Sequence, residues 1–126
     1  CTTARLTLTR SNSMTLKAIS NETPGIFVTH EVPVPPLCPV TGNPVSAHLI
    51  IQYKPDKTII DVLTITPYLA TFIGSTVYRD LEKFSRVVYD DVRQLINVDV
   101  CVKAQYELTD GQKLITVDGK FDIFDT

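Results

Sequence analysis

"VDVCVKAQYELTDGQKLITVDGKFDIF", residues 98–124, carries the strongest strand pattern of the chain. Apolar residues alternate with polar residues and Cys101 from Val98 to Leu108, which is the period of a strand with one buried face. Asp110-Gly111 is typical of a tight hairpin turn, and residues 113–124 are expected to return as the partner strand. These residues therefore predict an antiparallel hairpin in the last third of the sequence.

Two helices are predicted before this hairpin. Thr66 and Pro67 favour a helix start, because threonine caps helices and proline is tolerated in the first turn. Gly74 is expected to end this short apolar helix. In residues 77–96, an apolar stripe recurs at helical spacing and the opposite face is charged. The stripe consists of Leu81, Phe84, Val88, Val92 and Leu95. This pattern indicates an amphipathic helix that lies on a sheet.

Further upstream, GIFVTHEV (25–32) and VSAHLIIQYKP (45–55) predict two strands, because they are rich in β-formers and end at prolines. The segment 33–44 between them is too rich in proline for a helix or a central strand. We expect residues 57–65 to extend the second strand, and RLTLTRS (5–11) to form a short strand. The order of two strands, two helices and two strands predicts an α+β fold.

The sequence predicts one domain, residues 1–126, with an N-terminal arm (1–24) and a core (25–126). The core is an antiparallel four-stranded sheet with two helices on one face. Such a sheet has exposed edges, which invite strand pairing between subunits.

Composition restricts the class of protein. The chain has 126 residues, 44% of them hydrophobic, and a net charge of −2, so it can bury one core without requiring a nucleic-acid partner. There is no run of about 18 apolar residues to span a membrane, and we expect no signal segment. Three cysteines without paired spacing argue against a disulfide framework and favour a reducing, cytoplasmic location.

Cys38 lies in LCPVTGNP (37–44), inside the proline-rich loop. A free cysteine is most often a small buried apolar residue, but a cysteine on a rigid, accessible loop can be a nucleophile. In YRDLE (78–82), Asp80 and Glu82 either stabilise the helix dipole or bind a guanine-like base. Such a base presents a ring N–H and an amino group side by side, and one carboxylate can accept both.

The remaining polar candidates also have two interpretations. His30 and His48 lie in strand patterns. The favoured interpretation is a structural residue of a sheet, and the alternative is a catalytic group. The basic residues of the arm form a solvated segment first and contacts to nucleic-acid phosphates second. They are Arg5, Arg10 and Lys17. The sequence contains no glycine-rich phosphate loop, no Ser-His-Asp order and no metal-ligand spacing, so no metal is expected.

LCPVTGNP, followed by Ala47, Ile51, Tyr53 and Pro55, resembles the QueF family of nitrile reductases that act on 7-cyano-7-deazaguanine. The likeness runs from about residue 37 to about residue 90, and more loosely to about residue 121. It implies the tunnelling (T-) fold, a ββααββ unit. It also implies that Cys38 attacks the nitrile to form a covalent thioimide.

The resemblance assigns further residues to the substrate. The family's base-binding glutamate matches Asp80, with Glu82 as the fallback, and the preceding family histidine matches Arg79. The family aspartate that donates a proton to the nitrile nitrogen matches Val45. Four residues are candidates to replace it, namely Ser46, His48, His30 and Asp80.

Two departures favour a branch of the family. The family's lysine-bearing cofactor segment matches Asp61–Thr66, which has no lysine, and its Arg-Gly-Gly turn matches residues 110–112. A 2′-phosphate needs cationic partners, so NADPH is not expected and ammonia is the expected co-substrate. The pattern resembles the QueF-like amidinotransferases (archaeosine synthases), which convert the nitrile to the formamidine of archaeosine on a base within nucleic acid.

The leading hypothesis is therefore an NADPH-independent amidine synthase that acts on a 7-deazapurine base in tRNA or DNA. One alternative is the NADPH-dependent 7-cyano-7-deazaguanine reductase. The other is a non-catalytic deazapurine-binding module. The resemblance also implies a homo-oligomer, a pentamer or a decamer, with active sites between subunits.

Overall fold

The computed structural model describes residues 15–74 and 81–119. It is an α+β fold, as predicted, and its strands and helices fit a T-fold unit. The elements are β1 (Ala18–Ser20), β2 (Val28–Pro33), β3 (Ser46–Tyr53), β4 (Thr58–Ile60), a 3-10 turn (Val62–Thr64), α1 (Ile65–Ala70), α2 (Leu81–Ile96), β5 (Val100–Glu107) and β6 (Lys113–Gly119).

The main sheet has four antiparallel strands in the order β2-β3-β5-β6. The predicted hairpin is confirmed over the described residues, where β5 and β6 pair from Glu107 opposite Lys113 to Cys101 opposite Gly119. Its turn closes through the Gly111 amide, which donates to the Leu108 carbonyl at 3.0 Å. Strands β2 and β6 are the two edges of this sheet.

A second, two-stranded sheet differs from expectation. Residues 58–60 do not extend β3 but pair as β4 with β1. Pro55 interrupts β3, and the Asn21 side chain donates to the Asp56 carbonyl at 2.8 Å, so the chain turns away from the main sheet. Leu16 is buried in the core, which ties this part of the N-terminal segment to the domain. The strand predicted at 5–11 lies outside the described residues.

The helices begin and end slightly differently from the prediction. Asp61, rather than Thr66, caps the first helical segment, because its carboxylate accepts from the Leu63 amide at 3.1 Å. The segment is a 3-10 turn that runs into α1. Helix α2 is long and buries the predicted stripe against the sheet, with Leu81, Phe84, Val88 and Val92 all in the core.

The main sheet therefore has two different faces. Helix α2 packs on β5 and β6, and the side that it covers is called the covered face. On that face β3 and β5 bury their alternate residues. They are Ala47, Leu49, Ile51, Tyr53, Val100, Val102, Ala104 and Tyr106. The opposite side is called the open face. Within the described ranges, no helix is long and apolar enough to cross a membrane.

Candidate functional site

The loop that carries Cys38 is held at several points. The amides of Leu37 and Cys38 both donate to the Asn43 carbonyl, at 3.0 and 3.1 Å. The Gly42 amide returns to the Cys38 carbonyl at 2.7 Å. These bonds fold LCPVTGNP into a closed turn, with a cis peptide between Asn43 and Pro44. The sequence prediction of an ordered loop is confirmed.

The same turn is fastened to two other elements. The Leu37 carbonyl accepts from the Gly74 amide at 2.8 Å, which joins it to the end of the α1 segment. The Asn43 side chain accepts from the Thr109 amide at 2.9 Å, which joins it to the β5–β6 turn. Cys38 itself is partly buried. Its backbone is thus fixed where the main sheet meets the first helical segment.

Cys101 lies in β5 and is free and buried. It is therefore not placed to react with a substrate. Cys38 is the more exposed of the two described cysteines, and its thiolate would be the nucleophilic form.

Ser46 and His48 lie on the open face, since the residues between and beyond them, Ala47 and Leu49, are buried on the covered face. They line an open cavity of about 230 Å³. Its other lining residues are Gln105, Tyr106, Glu107, Lys113, Leu114 and Ile115. Cys38 is not among the residues that line this cavity.

His30 is on the covered side of the edge strand β2. Its Nε2 atom lies 3.2 Å from the Tyr53 hydroxyl, and the two rings stack at 5.7 Å. The Ile60 amide donates to that hydroxyl at 3.0 Å. Burial lowers the pKa of His30, because desolvation disfavours the charged ring. His30 thus favours the neutral form, and through Tyr53 it helps to join β2 and β4.

The substrate-binding candidates at the start of α2 are only partly described. Glu82 lies in the first turn and is exposed. Arg79 and Asp80 lie outside the described residues, as do Arg5 and Arg10. Lys17 is exposed, and its backbone bonds to the segment after β4. Since α2 packs on the covered face, one chain places Glu82 and the Ser46–His48 pair on opposite sides of the sheet.

Sequence reasoning missed a buried group of hydroxyls beneath α2. Ser85 is fully buried and hydrogen-bonds the Tyr106 hydroxyl, and Thr116 of β6 donates to Ser85 at 2.8 Å. The signal in the sequence was a serine beside Phe84 and Val88, within the apolar stripe. Within the described part of the chain, no cluster of three or more His, Cys, Asp or Glu residues could hold a metal ion.

The strands and helices fit a T-fold unit, and the cysteine loop forms a closed turn in it. Comparison with known proteins indicates which proteins this unit is similar to. No protein-family model matches the chain. A Zymomonas mobilis protein is 50% identical over 44 residues, which are 35% of this chain and 30% of that protein. A Parvibaculum lavamentivorans protein is 39% identical over 61 residues, 46% of this chain and 40% of the relative.

A longer match, to a Thermotoga maritima protein, is 27% identical over 88 residues, 68% of this chain and 63% of the relative. All three proteins are named NADPH-dependent 7-cyano-7-deazaguanine reductase. The chain therefore spans less than two thirds of the length of the curated relatives that it matches. These similarities support the predicted QueF family, and they do not extend to the archaeosine synthase branch.

The same relatives correct the cofactor prediction. NADPH was not expected, because residues 61–66 contain no lysine, but the similar proteins are named as NADPH-dependent. The structure also places a lysine beside this segment from elsewhere in the chain. The Lys17 amide donates to Thr64 Oγ1 at 3.1 Å, and the Lys17 carbonyl accepts from the Asp61 amide at 2.9 Å. The absence of lysine within the segment was therefore an insufficient reason to exclude the cofactor.

Proposed function

We propose that the chain is a nitrile reductase that acts on 7-cyano-7-deazaguanine and uses NADPH. The observation that carries this proposal is the closed turn of LCPVTGNP, which fixes the Cys38 backbone at the edge of the main sheet. The similarity to named reductases supports the substrate and the cofactor. This was the first alternative at the level of sequence, and it now replaces the amidine synthase.

The chemistry at Cys38 begins from its thiolate. The thiolate attacks the nitrile carbon, a C–S bond forms, and one π bond of the nitrile breaks as its nitrogen takes a proton. The product is a thioimide on Cys38. Conversion of a nitrile to a primary amine takes four electrons, so two hydrides are consumed, and the thiol is released when the C–S bond breaks.

NADPH, when bound, would supply those hydrides. The chain offers Lys17 and Lys57 as candidates to hold a phosphate-bearing cofactor, because both are exposed and they flank the two opposite ends of the small sheet. The Asn21 amide donates to the Lys57 carbonyl at 3.0 Å, which fixes this residue next to β4. An ammonium group suits a phosphate as a point charge. A fluorescence titration with NADPH and NADH tests this role. Lys17→Ala should reduce the ratio of the affinity for NADPH to the affinity for NADH.

The proton for the nitrile nitrogen needs a donor, since Val45 cannot supply one. Ser46 and His48 follow Val45 directly on β3, but they are on the open face, away from Glu82. We therefore retain the proposal of active sites shared between subunits, in which one chain provides the open face and another the start of α2. Among the described residues, β2 and β6 are the edges of the main sheet, and sheet edges can join such chains by strand pairing. A monomer by light scattering that retains activity would contradict this.

The decisive experiment is an intact-mass measurement on reduced protein incubated with 7-cyano-7-deazaguanine. Wild type should gain the mass of the whole nitrile, and Cys38→Ala should gain nothing. Cys101→Ala is the matched control and should react like wild type. An adduct of equal yield on Cys38→Ala would refute the mechanism.

Three further arms separate the alternatives. NADPH should discharge the adduct to the amine, whereas discharge by ammonium alone would support an amidine synthase. An affinity for the base without any adduct would support a binding module. Repeating the assay with the base in tRNA and in DNA tests whether nucleic acid is the substrate, for which Arg5, Arg10 and Lys17 are the proposed contacts.

A further inference from the structure

A continuous chain of hydroxyl groups runs through the interior from β6 to the start of α2. Thr116 Oγ1 donates to Ser85 Oγ at 2.8 Å. Ser85 Oγ is hydrogen-bonded to the Tyr106 hydroxyl, which lies 3.4 Å from the carbonyl oxygen of Leu81. Each proton finds an acceptor if Thr116 donates to Ser85, Ser85 to Tyr106, and Tyr106 to Leu81.

The Tyr106 phenol has a proton that it can donate. Burial raises the pKa of Tyr106 to about 12, because desolvation disfavours the phenolate. The phenol therefore keeps its proton at neutral pH and can donate it. The acceptor is the carbonyl of the first residue of α2, one of the residues whose position sets the direction in which the helix begins.

Buried hydroxyl groups are costly unless they are hydrogen-bonded, and a satisfied network holds its members in fixed positions. Through its contact with the Leu81 carbonyl, Tyr106 joins the central strand β5 to the turn that carries Glu82. Because Glu82 is a candidate that binds the base, a shift of the turn would move its carboxylate relative to the substrate.

We propose that Tyr106, supported by Ser85 and Thr116, is a positioning residue that fixes the first turn of α2 for substrate binding through the Leu81 carbonyl. This inference rests on the proposed function, in which a carboxylate at the start of α2 binds the deazapurine. It adds a residue on the sheet to the determinants of substrate affinity.

The test compares Tyr106→Phe with Tyr68→Phe. Tyr68 donates its hydroxyl to Asp91, further along the same helix, so both variants lose one phenol bond to α2. The concentration of 7-cyano-7-deazaguanine that half-saturates adduct formation should rise about tenfold in Tyr106→Phe only, since small misplacements of substrate-positioning groups have large effects. The rate at which iodoacetamide alkylates reduced Cys38 should not change in either variant.

A second variant distinguishes a loss of positioning from a general loss of stability. If the hydroxyls act as one unit, Ser85→Ala should have the same effect, and the double variant should be no worse than either single one. Equal loss of affinity in Tyr106→Phe and Tyr68→Phe, or unchanged affinity in Tyr106→Phe, would overturn the inference.

Amide hydrogen exchange separates this inference from the proposed function. Exchange in residues 81–85 should accelerate in Tyr106→Phe and stay unchanged in Tyr68→Phe, whether or not the nitrile reacts. A wild type that forms no adduct would remove the proposed function. Unchanged exchange in Tyr106→Phe would remove the positioning role.

Discussion

Phe84 attaches α2 to two other parts of the domain through aromatic contacts. It is fully buried. Its ring meets Phe72 edge-to-face at 5.1 Å and 86°, and Tyr106 at 6.4 Å and 69°. It therefore joins the turn after α1, the helix itself and strand β5. We predict that Phe84→Ala is among the most destabilising single substitutions in the chain.

The magnitude follows from burial and ring geometry. Replacing a buried phenylalanine by alanine costs about 3–5 kcal/mol, which includes the cavity that remains. The two edge-to-face pairs, each worth about 0.5–1.5 kcal/mol beyond area burial, place Phe84 towards the upper half of that range. Domains of this size have a free energy of unfolding of about 5–15 kcal/mol, so the variant loses a large share of its stability.

Urea denaturation of reduced protein, followed by far-UV circular dichroism, measures the effect. With a slope of about 2 kcal/mol per molar, a loss of about 4 kcal/mol lowers the midpoint by about 2 M. Leu63→Ala is the control, because Leu63 is 81% exposed, and its midpoint should not move. A shift of less than about 0.5 M in Phe84→Ala would refute the assignment of α2 to the covered face.

Two other substitutions test the backbone and the pH response. Gly119→Ala should cost at least about 2 kcal/mol, because its φ is 90° and a Cβ atom there would collide with the Val100 carbonyl and the Tyr89 ring. Gly111→Ala has nearly the same φ but nothing near its Cβ, so urea midpoints of the two variants isolate the collision. His30→Gln should reduce the loss of stability between pH 7 and pH 5. Burial lowers the pKa of His30 in the folded state, so the unfolded chain binds the proton more readily and stability falls as the pH drops below about 6.5. If the free energy of unfolding of His30→Gln falls between pH 7 and pH 5 by as much as that of wild type, the assignment of His30 as neutral in the folded state is contradicted.

The fold could be predicted where local pattern and tertiary packing agree. The alternation in 98–108 and the stripe of 81–95 both describe one buried face, and the structure buries those faces. The pairing of residues 58–60 was missed because an extended segment does not encode its partner. Its pairing is set by the contact of 18–20 with it, about 40 residues apart in sequence.

The candidate site was less accessible to sequence reasoning for a different reason. Cys38 and its ordered loop follow from local proline and glycine content, and the turn is present. The cofactor prediction failed because it examined only the two segments that match the family's cofactor motifs, residues 61–66 and 110–112, whereas the lysine beside the first, Lys17, comes from a segment more than 40 residues earlier. A positive charge that strand pairing places beside a segment cannot be predicted from the sequence of that segment.

The two faces of the main sheet explain why the remaining candidates do not assemble in one chain. Side chains alternate along β3, so Ser46 and His48 are on the open face as a necessary consequence of burying Ala47 and Leu49. No side-chain rotation can move them to the face that carries α2. The proposed arrangement of sites between subunits would supply one residue from each face to the same reaction.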